Sequence, residues 1–248
     1  MFARLLIAIF GFCFSFSLVA QHLTISSAST SGSYTLSGNT LTVLSTGAVN
    51  LNPSVITNHL TNTGDLTIVM PQNGTNQRSL NLNASINYTG STARTLTFQI
   101  GNDIIAASGI SITSTNAPLN LVLRTATYST NPDNGVIQLN GVTLNTNGGH
   151  LWIGGGQGNT TWNGLIVGNH YSRTWADDVS GISIVGSTIS TNGGSISMKG
   201  MSFETTDDDG TTNYGVNIEN ANISSTVGDI SIDGVLKGRF TNGHALRI

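Results

Sequence analysis

Charged side chains are scarce along this chain of 248 residues. Asp, Glu, Lys and Arg make up 8% of it, against about 25% in an average soluble domain. None of them occurs between Arg4 and Asp65, and the formal net charge is −3. Such a chain offers no basic surface for neutralising phosphates. We therefore expect no nucleic-acid partner.

Cysteine is nearly absent as well. The one cysteine, Cys13, lies in the opening segment MFARLLIAIFGFCFSFSLVA, where Arg4 precedes an apolar run that ends in small residues. This pattern predicts a secretory signal peptide over residues 1–20, cleaved after Ala20. The run is shorter than the roughly 18 residues that an uncleaved membrane anchor needs. We expect a secreted chain without disulfides and without stable membrane insertion after signal cleavage.

Helical spacing of apolar residues is almost missing after residue 20. Short segments alternate apolar and polar residues instead, as at Leu41–Val43, Leu66–Ile68 and Leu96–Phe98. An alternation with a period of two predicts strands with one buried face, and the Gly, Asn and Ser between them predict turns. The expected fold class is therefore all-β.

What the sequence has in abundance is a repeat. GISIVGSTISTNGGSISMKG at 181–200 aligns without a gap with GVNIENANISSTVGDISIDG, which begins at Gly215. The offset between these two copies is 34 (215 − 181), a copy at 136–153 aligns with the first at an offset of 45, and a weaker copy at 109–123 aligns with that one at an offset of 32. Repeats of about 20–50 residues are typical of stacked architectures.

Each copy holds three short apolar segments separated by turns, which predicts one triangular coil of three strands. Successive coils would pair in parallel, so that aliphatic side chains stack inside, Gly takes the corners, and the segments between copies form variable loops. In the weaker copy, Leu119 and Leu121 are expected at the places of Leu151 and Ile153.

The copies resemble the repeats of filamentous haemagglutinin-like surface adhesins of bacteria. The resemblance lies in NGG followed by an alternating triplet, and in GDLTI at 64–68, SLNLNASINYTG at 79–90, NDIIAASGISITSTNAPLNLVL at 102–123 and NYGVNIENANISS at 213–225. It implies a right-handed parallel β-helix on the bacterial cell surface or secreted from it, acting in cell adhesion or a biofilm matrix. The family's secretion domain usually carries Asn-Pro-Asn motifs, whereas this chain has NPS at 52–54, so the export route stays open.

The predicted organisation has three parts. These are a signal peptide (1–20), an amino-terminal cap region (21–60) and parallel β-helix coils (61–248). The chain ends at Leu246–Ile248 inside a segment that is typical of a strand in another coil. Since an uncapped end exposes strand edges, we expect the coils to continue in a longer protein.

The longest interval between copies is GGGQGNTTWNGLIVGNHYSRTWADDVS at 154–180. Its ring-bearing side chains include Trp162, His170, Tyr171 and Trp175. Exposed aromatic rings are effective contact surfaces. These four residues are therefore predicted to bind an extracellular glycan or a surface protein. The alternative is that the rings pack the loop onto the side of the β-helix.

Three adjacent carboxylates, Asp207, Asp208 and Asp209, stand in the next interval before Gly210. Clusters of hard oxygen ligands suit calcium, which makes these residues a candidate calcium site. The alternative is a solvated turn. Apart from this calcium, no cofactor is expected.

An enzyme is the alternative function, because parallel β-helices also carry polysaccharide lyases and glycoside hydrolases. These reactions need paired carboxylates, or a basic residue beside calcium, on one face. Lys199 and Asp233 fall at equivalent positions of consecutive copies and would meet as a salt bridge or as such a pair. The five histidines sit in unrelated contexts, so no Ser/His/Asp grouping is predicted. We expect a non-enzymatic structural adhesin with no catalytic residue.

Overall fold

The computed structural model describes residues 22–44, 47–71, 78–127, 135–174, 180–202, 213–237 and 243–248. Strands dominate these residues, and the one α-helix among them is α1 (Pro53–Asn62). The strands are β1 (His22–Ile25), β2 (Tyr34–Ser37), β3 (Thr40–Val43), β4 (Val49–Leu51), β5 (Leu66–Met70), β6 (Ser79–Leu82), β7 (Ile86–Tyr88), β8 (Arg94–Ile100), β9 (Ile104–Ala106), β10 (Ser111–Ser114), β11 (Leu119–Thr125), β12 (Ile137–Asn140), β13 (Thr143–Asn145), β14 (Leu151–Trp162), β15 (Leu165–His170), β16 (Ser172–Arg173), β17 (Ile182–Val185), β18 (Thr188–Ser190), β19 (Ile196–Met201), β20 (Tyr214–Glu219), β21 (Asn222–Ser224), β22 (Ile230–Val235) and β23 (His244–Arg247).

These strands form three sheets in the described part of the chain. Sheet 1 has the order β23-β20-β17-β12-β9-β6-β1-β4, sheet 2 the order β21-β18-β13-β10-β7, and sheet 3 the order β16-β19-β14-β11-β8-β5-β3-β2, with β15 beside β14 and β22 beside β19. Each coil gives one strand to each sheet in turn, as β12, β13 and β14 do, and the coils pair in parallel. The chain is an all-β parallel β-helix, which confirms the predicted fold class.

The strand register follows the sequence repeat. Cα partners at the offset of 34 include Ile182–Val216, Ile189–Ile223 and Ile196–Ile230, and partners at the offset of 45 include Ile137–Ile182, Leu144–Ile189 and Leu151–Ile196. In the inner coils these aliphatic side chains belong to one continuous buried core. The repeated positions are therefore the interior ladders of the β-helix.

In the weaker copy, the strand of sheet 3 (β11) pairs with β14 in a register two residues away from the predicted one. Leu121, and not Leu119, is the partner of Leu151, although Ile112 pairs with Leu144 as the shift of 32 requires. Nine residues (121 − 112) separate the two aligned positions in this coil and seven (151 − 144) in the next, so its corner is longer. A slip of two residues keeps the same strand face inside, and Leu119 is still fully buried.

The Asn-Gly-Gly motif forms the corner that leads into sheet 3. Asn192 and Gly193 have φ angles of 51° and 134°, a backbone conformation that Gly and Asn adopt most readily. The hydroxyl of Thr191 donates to the carbonyl of Gly194. At Gly194 the chain lies so close to the preceding coil that a Cβ would overlap the carbonyl of Gly149. Glycine is thus required here by the spacing of the coils.

We expect Gly194→Ala to lower the free energy of unfolding by about 1–3 kcal/mol, the usual cost of overpacking a dense contact. Gly186→Asn is the matched control, because Gly186 has a left-handed φ of 60° but open space around it, and Asn tolerates that conformation. Urea unfolding of both variants measures the difference. An alanine variant as stable as the wild type would contradict the close approach of the coils.

The start of the chain, predicted as a cap region, does not follow the one-strand-per-sheet order. Strand β1 is inserted between β4 and β6, and β2 pairs antiparallel with β3. In place of a strand of sheet 2, helix α1 packs against β7. Asn52 caps this helix by accepting the amide of Ser54, and Pro53 begins it. Ile56 and Leu60 bury its inner face.

Candidate functional site

The predicted loop at 154–180 is a β-hairpin over most of its described part. Strand β14 continues beyond sheet 3, and β15 returns antiparallel to it. Asn163 and Gly164 form the turn with φ angles of 46° and 77°, as expected for an Asn-Gly hairpin. The hairpin lies against the outer face of sheet 3, because its inner side chains pack on residues of that sheet.

An apolar cluster holds the hairpin down. Leu165 and Val167 of β15 pack with Val122 and Trp152, which stand on β11 and β14. Both sheet residues alternate with core positions and therefore point outward. Trp152 is nonetheless only 1% exposed, so the hairpin shields an indole that would otherwise face water.

Arg124 fastens the base of the hairpin. Its Nε donates to the carbonyl of Gly156 at 2.8 Å, and its terminal nitrogens donate to the carbonyls of Gln157 (2.6 Å) and Gly158 (3.1 Å) and to Oδ1 of Asn159 (2.7 Å). The side chain is 2% exposed. Hydrogen bonds from a charged donor are stronger than neutral ones, and here they fix the path of β14 as it leaves the sheet.

The glycine run GGGQG at 154–158 allows this tight wrapping. A Cβ on Gly155 would overlap the carbonyl of Tyr171, and one on Gly168 would overlap the carbonyl of Gly155. Gly156 has a φ of 106°, which side-chain-bearing residues rarely adopt. These glycines let the two hairpin strands approach each other closely.

A groove of about 470 Å³ lies between the hairpin tip and the outer face of sheet 3. Thr40, Thr67 and Thr97 form one row along its floor, because Thr40 pairs with Thr67 and Thr67 with Thr97. Val69 and Gln99 form the next row. The groove floor is thus a regular array of hydroxyl, amide and methyl groups on a rigid sheet.

The tip of the hairpin forms the overhanging wall of this groove. Gly164, Leu165 and Ile166 line it from above. Leu165 is anchored in the apolar cluster, whereas Ile166 is 54% exposed. The groove thus presents an exposed large aliphatic side chain above a polar floor.

Asp65 carries the only charged side chain among the described residues that line the groove. Its Oδ1 accepts the amide of Thr95 at 2.8 Å. The neighbouring Arg94 lies on the same face of β8 as core residue Leu96. Its Nε donates to the carbonyl of Leu60 in α1. Its side chain therefore points away from the groove. The described lining residues are thus neutral apart from one negative charge.

No protein-family model, curated protein or solved structure matches this chain. The resemblance to filamentous haemagglutinin-like adhesins therefore stays a prediction.

The three predicted ligand-binding residues that lie in the described ranges do not form one cluster. Trp162 lies near the hairpin tip, where it packs against the apolar cluster and stands edge-on to His150 with ring centroids 5.7 Å apart. His170 and Tyr171 follow at the hairpin base, edge-on to each other at 5.6 Å. Trp175 lies outside the described residues. Binding by these side chains stays a prediction.

Tyr171 joins the hairpin base to a later coil. Its hydroxyl donates to Oδ2 of Asp233 at 2.7 Å, and this bond, together with burial, raises the pKa of the tyrosine. Asp233 is the register partner of Lys199, as the repeat predicts. No ion pair within 4.0 Å joins these two described residues. The predicted salt bridge between Lys199 and Asp233 is therefore not formed in this structure, where the carboxylate accepts the hydroxyl of Tyr171.

The candidate calcium residues, Asp207, Asp208 and Asp209, lie outside the described residues. Calcium binding there stays a prediction. Within the described ranges, no three His, Cys, Asp or Glu side chains are grouped to hold a metal ion. In the same ranges, no helix has the length and apolar character of a membrane span.

The structure does bring a serine, a histidine and an aspartate together, which the sequence did not predict. His22 and Ser79 are partners on β1 and β6, and Asp103 comes just before β9, the next strand of sheet 1. Ser79 donates directly to Asp103 at 3.1 Å, and Asp103 also accepts from the Asn102 side chain and the Val136 amide. In a catalytic triad the histidine stands between serine and acid. This cluster instead closes the corner between sheets 3 and 1.

Burial raises the pKa of Asp103, although its hydrogen bonds oppose the shift. The folded chain therefore keeps the proton at a higher pH than the unfolded chain, so the stabilisation is complete below the ordinary value of 3.8 and is lost as pH rises through the raised pKa. We expect wild type to lose stability relative to Asp103→Asn as pH rises from about 3.5 to 7 in urea unfolding. Asp229→Asn, at an exposed position, is the control. A pH-independent difference would contradict the shift.

Proposed function

We propose that this chain is a secreted or cell-surface attachment protein without enzymatic activity, and that it binds an extracellular glycan in the groove under the hairpin tip. The observation that carries the proposal is the groove itself. A rigid sheet presents rows of hydroxyl and amide groups, and an anchored hairpin holds an exposed aliphatic side chain over them.

The chemistry of the groove suits a sugar chain. Threonine hydroxyls both donate and accept hydrogen bonds, as sugar hydroxyls do. Neighbouring strands set the members of each row about 4.8 Å apart, so the groups are fixed before the ligand arrives and binding orders few side chains. Val69 and Ile166 add apolar contact for the C–H faces of sugar rings.

The alternative function, a polysaccharide lyase or glycoside hydrolase, has less support in this groove. Glycoside hydrolysis uses two carboxyl groups on either side of the scissile bond. Of the described residues that line the groove, Asp65 alone carries a side chain suited to general acid or base catalysis. A single carboxylate beside threonines favours binding over turnover.

Glycan-array binding by the chain from Gln21 onward, with turnover of each bound glycan followed in parallel, tests the proposal. We expect binding without cleavage, and its loss in Thr67→Arg, which places a long side chain in the groove. Ser183→Arg, at a half-buried outward position of sheet 1, is the matched control and should bind normally.

Other outcomes of that experiment would redirect the proposal. Binding that survives Thr67→Arg but is lost in Trp162→Ala would move the site to the predicted aromatic residues. Cleavage of a bound glycan would establish the enzyme alternative. Binding to a surface protein, with no glycan bound, would replace the glycan by the other predicted partner.

A further inference from the structure

We infer that the groove selects neutral glycans and rejects sugar chains that carry carboxylate or sulfate groups. The inference rests on the proposed glycan binding and adds the class of glycan. It follows from the sign and placement of the charges around the groove.

The groove places its negative charge beside the ligand. Asp65 lies at the edge of the two rows that form the groove floor, next to Thr95 and Thr67. The Thr95 amide that it accepts is a neutral donor. An anionic sugar bound across these rows would stand near a like charge, and juxtaposed like charges are a strong means of excluding a wrong ligand.

The nearby cationic side chains bind other groups or lie away from the groove. Arg124 is buried and donates to four hairpin acceptors. Arg94 points to the carboxyl end of α1, where its charge meets the helix dipole favourably. Lys199 stands on β19, which lies on the far side of β14 from the groove strands β3, β5 and β8. In the described part of the lining, a carboxylate or sulfate would meet no Lys or Arg.

The remaining lining groups are those that a neutral sugar uses. The hydroxyls of Thr40, Thr67 and Thr97 and the amide of Gln99 lie in two adjacent rows. Hydroxyls and amides pair with sugar hydroxyls in either direction, as donor or acceptor. The groove thus matches a ligand with many hydroxyl groups and no net charge.

A matched set of soluble polymers tests this selectivity. The probes are hydroxyethyl-cellulose against carboxymethyl-cellulose, and dextran against carboxymethyl-dextran and dextran sulfate, with the glycan array run beside them. We expect the neutral member of a bound pair to be preferred about fivefold at low salt, because Asp65 is solvent-exposed and its charge is partly screened. The affinity for the neutral member should change little between low and high salt. Thr67→Val should weaken neutral binding, while Thr24→Val, an equivalent change on the outer face of sheet 1, should not.

Asp65→Asn isolates the role of the charge. Asparagine keeps an oxygen that can accept the Thr95 amide, so the variant should fold normally and bind the neutral polymer as before. We expect this variant to bind the neutral and the acidic polymer of a pair with nearly equal affinity. The same change at Asp229 should have no effect.

Three results would overturn the inference. Tighter binding of the acidic polymers, weakening as salt is added, would overturn the selectivity but leave the attachment function intact. An unchanged preference in Asp65→Asn would show that this carboxylate is not the selecting group. Absence of binding to any glycan on the array would remove the proposed function and the inference together.

Discussion

We expect Arg124→Met to loosen the base of the hairpin and to lower the free energy of unfolding by about 3 kcal/mol or more, because hydrogen bonds from charged donors contribute about 1.5–3 kcal/mol each. Every buried acceptor left unpaired adds a further cost. Methionine keeps much of the apolar stem but donates to none of the four acceptors that Arg124 binds. Urea unfolding and glycan binding should both report the loss.

Arg247→Met is the matched control for this prediction. Arg247 is 44% exposed and pairs with Glu219 at 3.3 Å on the surface of sheet 1, where such a pair contributes about 0–1 kcal/mol. Arg124→Lys should fall between the two, because lysine keeps the charge without the planar fork of donors. Equal stabilities of Arg124→Met and Arg247→Met would show that the hairpin does not depend on Arg124.

Trp152→Ala should have an effect of similar or larger size. Truncating a buried tryptophan costs about 3–5 kcal/mol, and Trp152 is the largest buried member of the cluster that holds Leu165 and Val167. The hairpin tip would then lose its anchor, so glycan binding should weaken along with stability. Thermal unfolding and a binding titration measure the two effects.

The comparison that decides this second prediction is Trp162→Ala. Trp162 lies on the same hairpin but is only partly buried, so its removal should cost clearly less stability than that of Trp152. Trp152→Phe, which keeps an aromatic ring in the cluster, should retain most of the binding. A larger loss from Trp162→Ala would mean that the hairpin is held by other contacts.

The core ladders could be predicted because the repeat leaves little freedom in the register. Ile182 and Ile184 recur in the next copy as Val216 and Ile218, and the pairs meet as predicted. A slip of one residue would turn every aliphatic side chain to the solvent. The predicted register at Leu119 is wrong by two residues. A shift of two residues keeps the same strand face buried, so the alternating pattern does not exclude it.

Helix α1 and the hairpin could not be predicted from the alternating pattern. Asn52 and Pro53 are a helix-start signal, and the Asn163-Gly164 pair is a hairpin signal. Each is local and falls in a segment that does not repeat. The strand before the hairpin turn also has the sequence LWIGGGQGNTTW, where glycines needed for close packing replace the alternation.

The candidate site depends on contacts between distant segments. Alternation places Thr67 and Thr97 on the outer face, but only the register shows that Thr40 completes their row, since Leu41 pairs with Ile68. The residues near Arg124 in the sequence do not indicate its hydrogen-bond acceptors, which lie on β14 in the following coil. The groove forms only when the hairpin packs on sheet 3.

A methyl-based NMR titration of the chain with a neutral glycan that it binds would locate the binding site on the β-helix. Binding in the groove predicts shifts that saturate together for the methyl groups of Thr67, Val69 and Ile166, with Thr24 and Ile189 unchanged. Shifts confined to the hairpin base near Tyr171, or to the first sheet, would contradict the groove as the binding site.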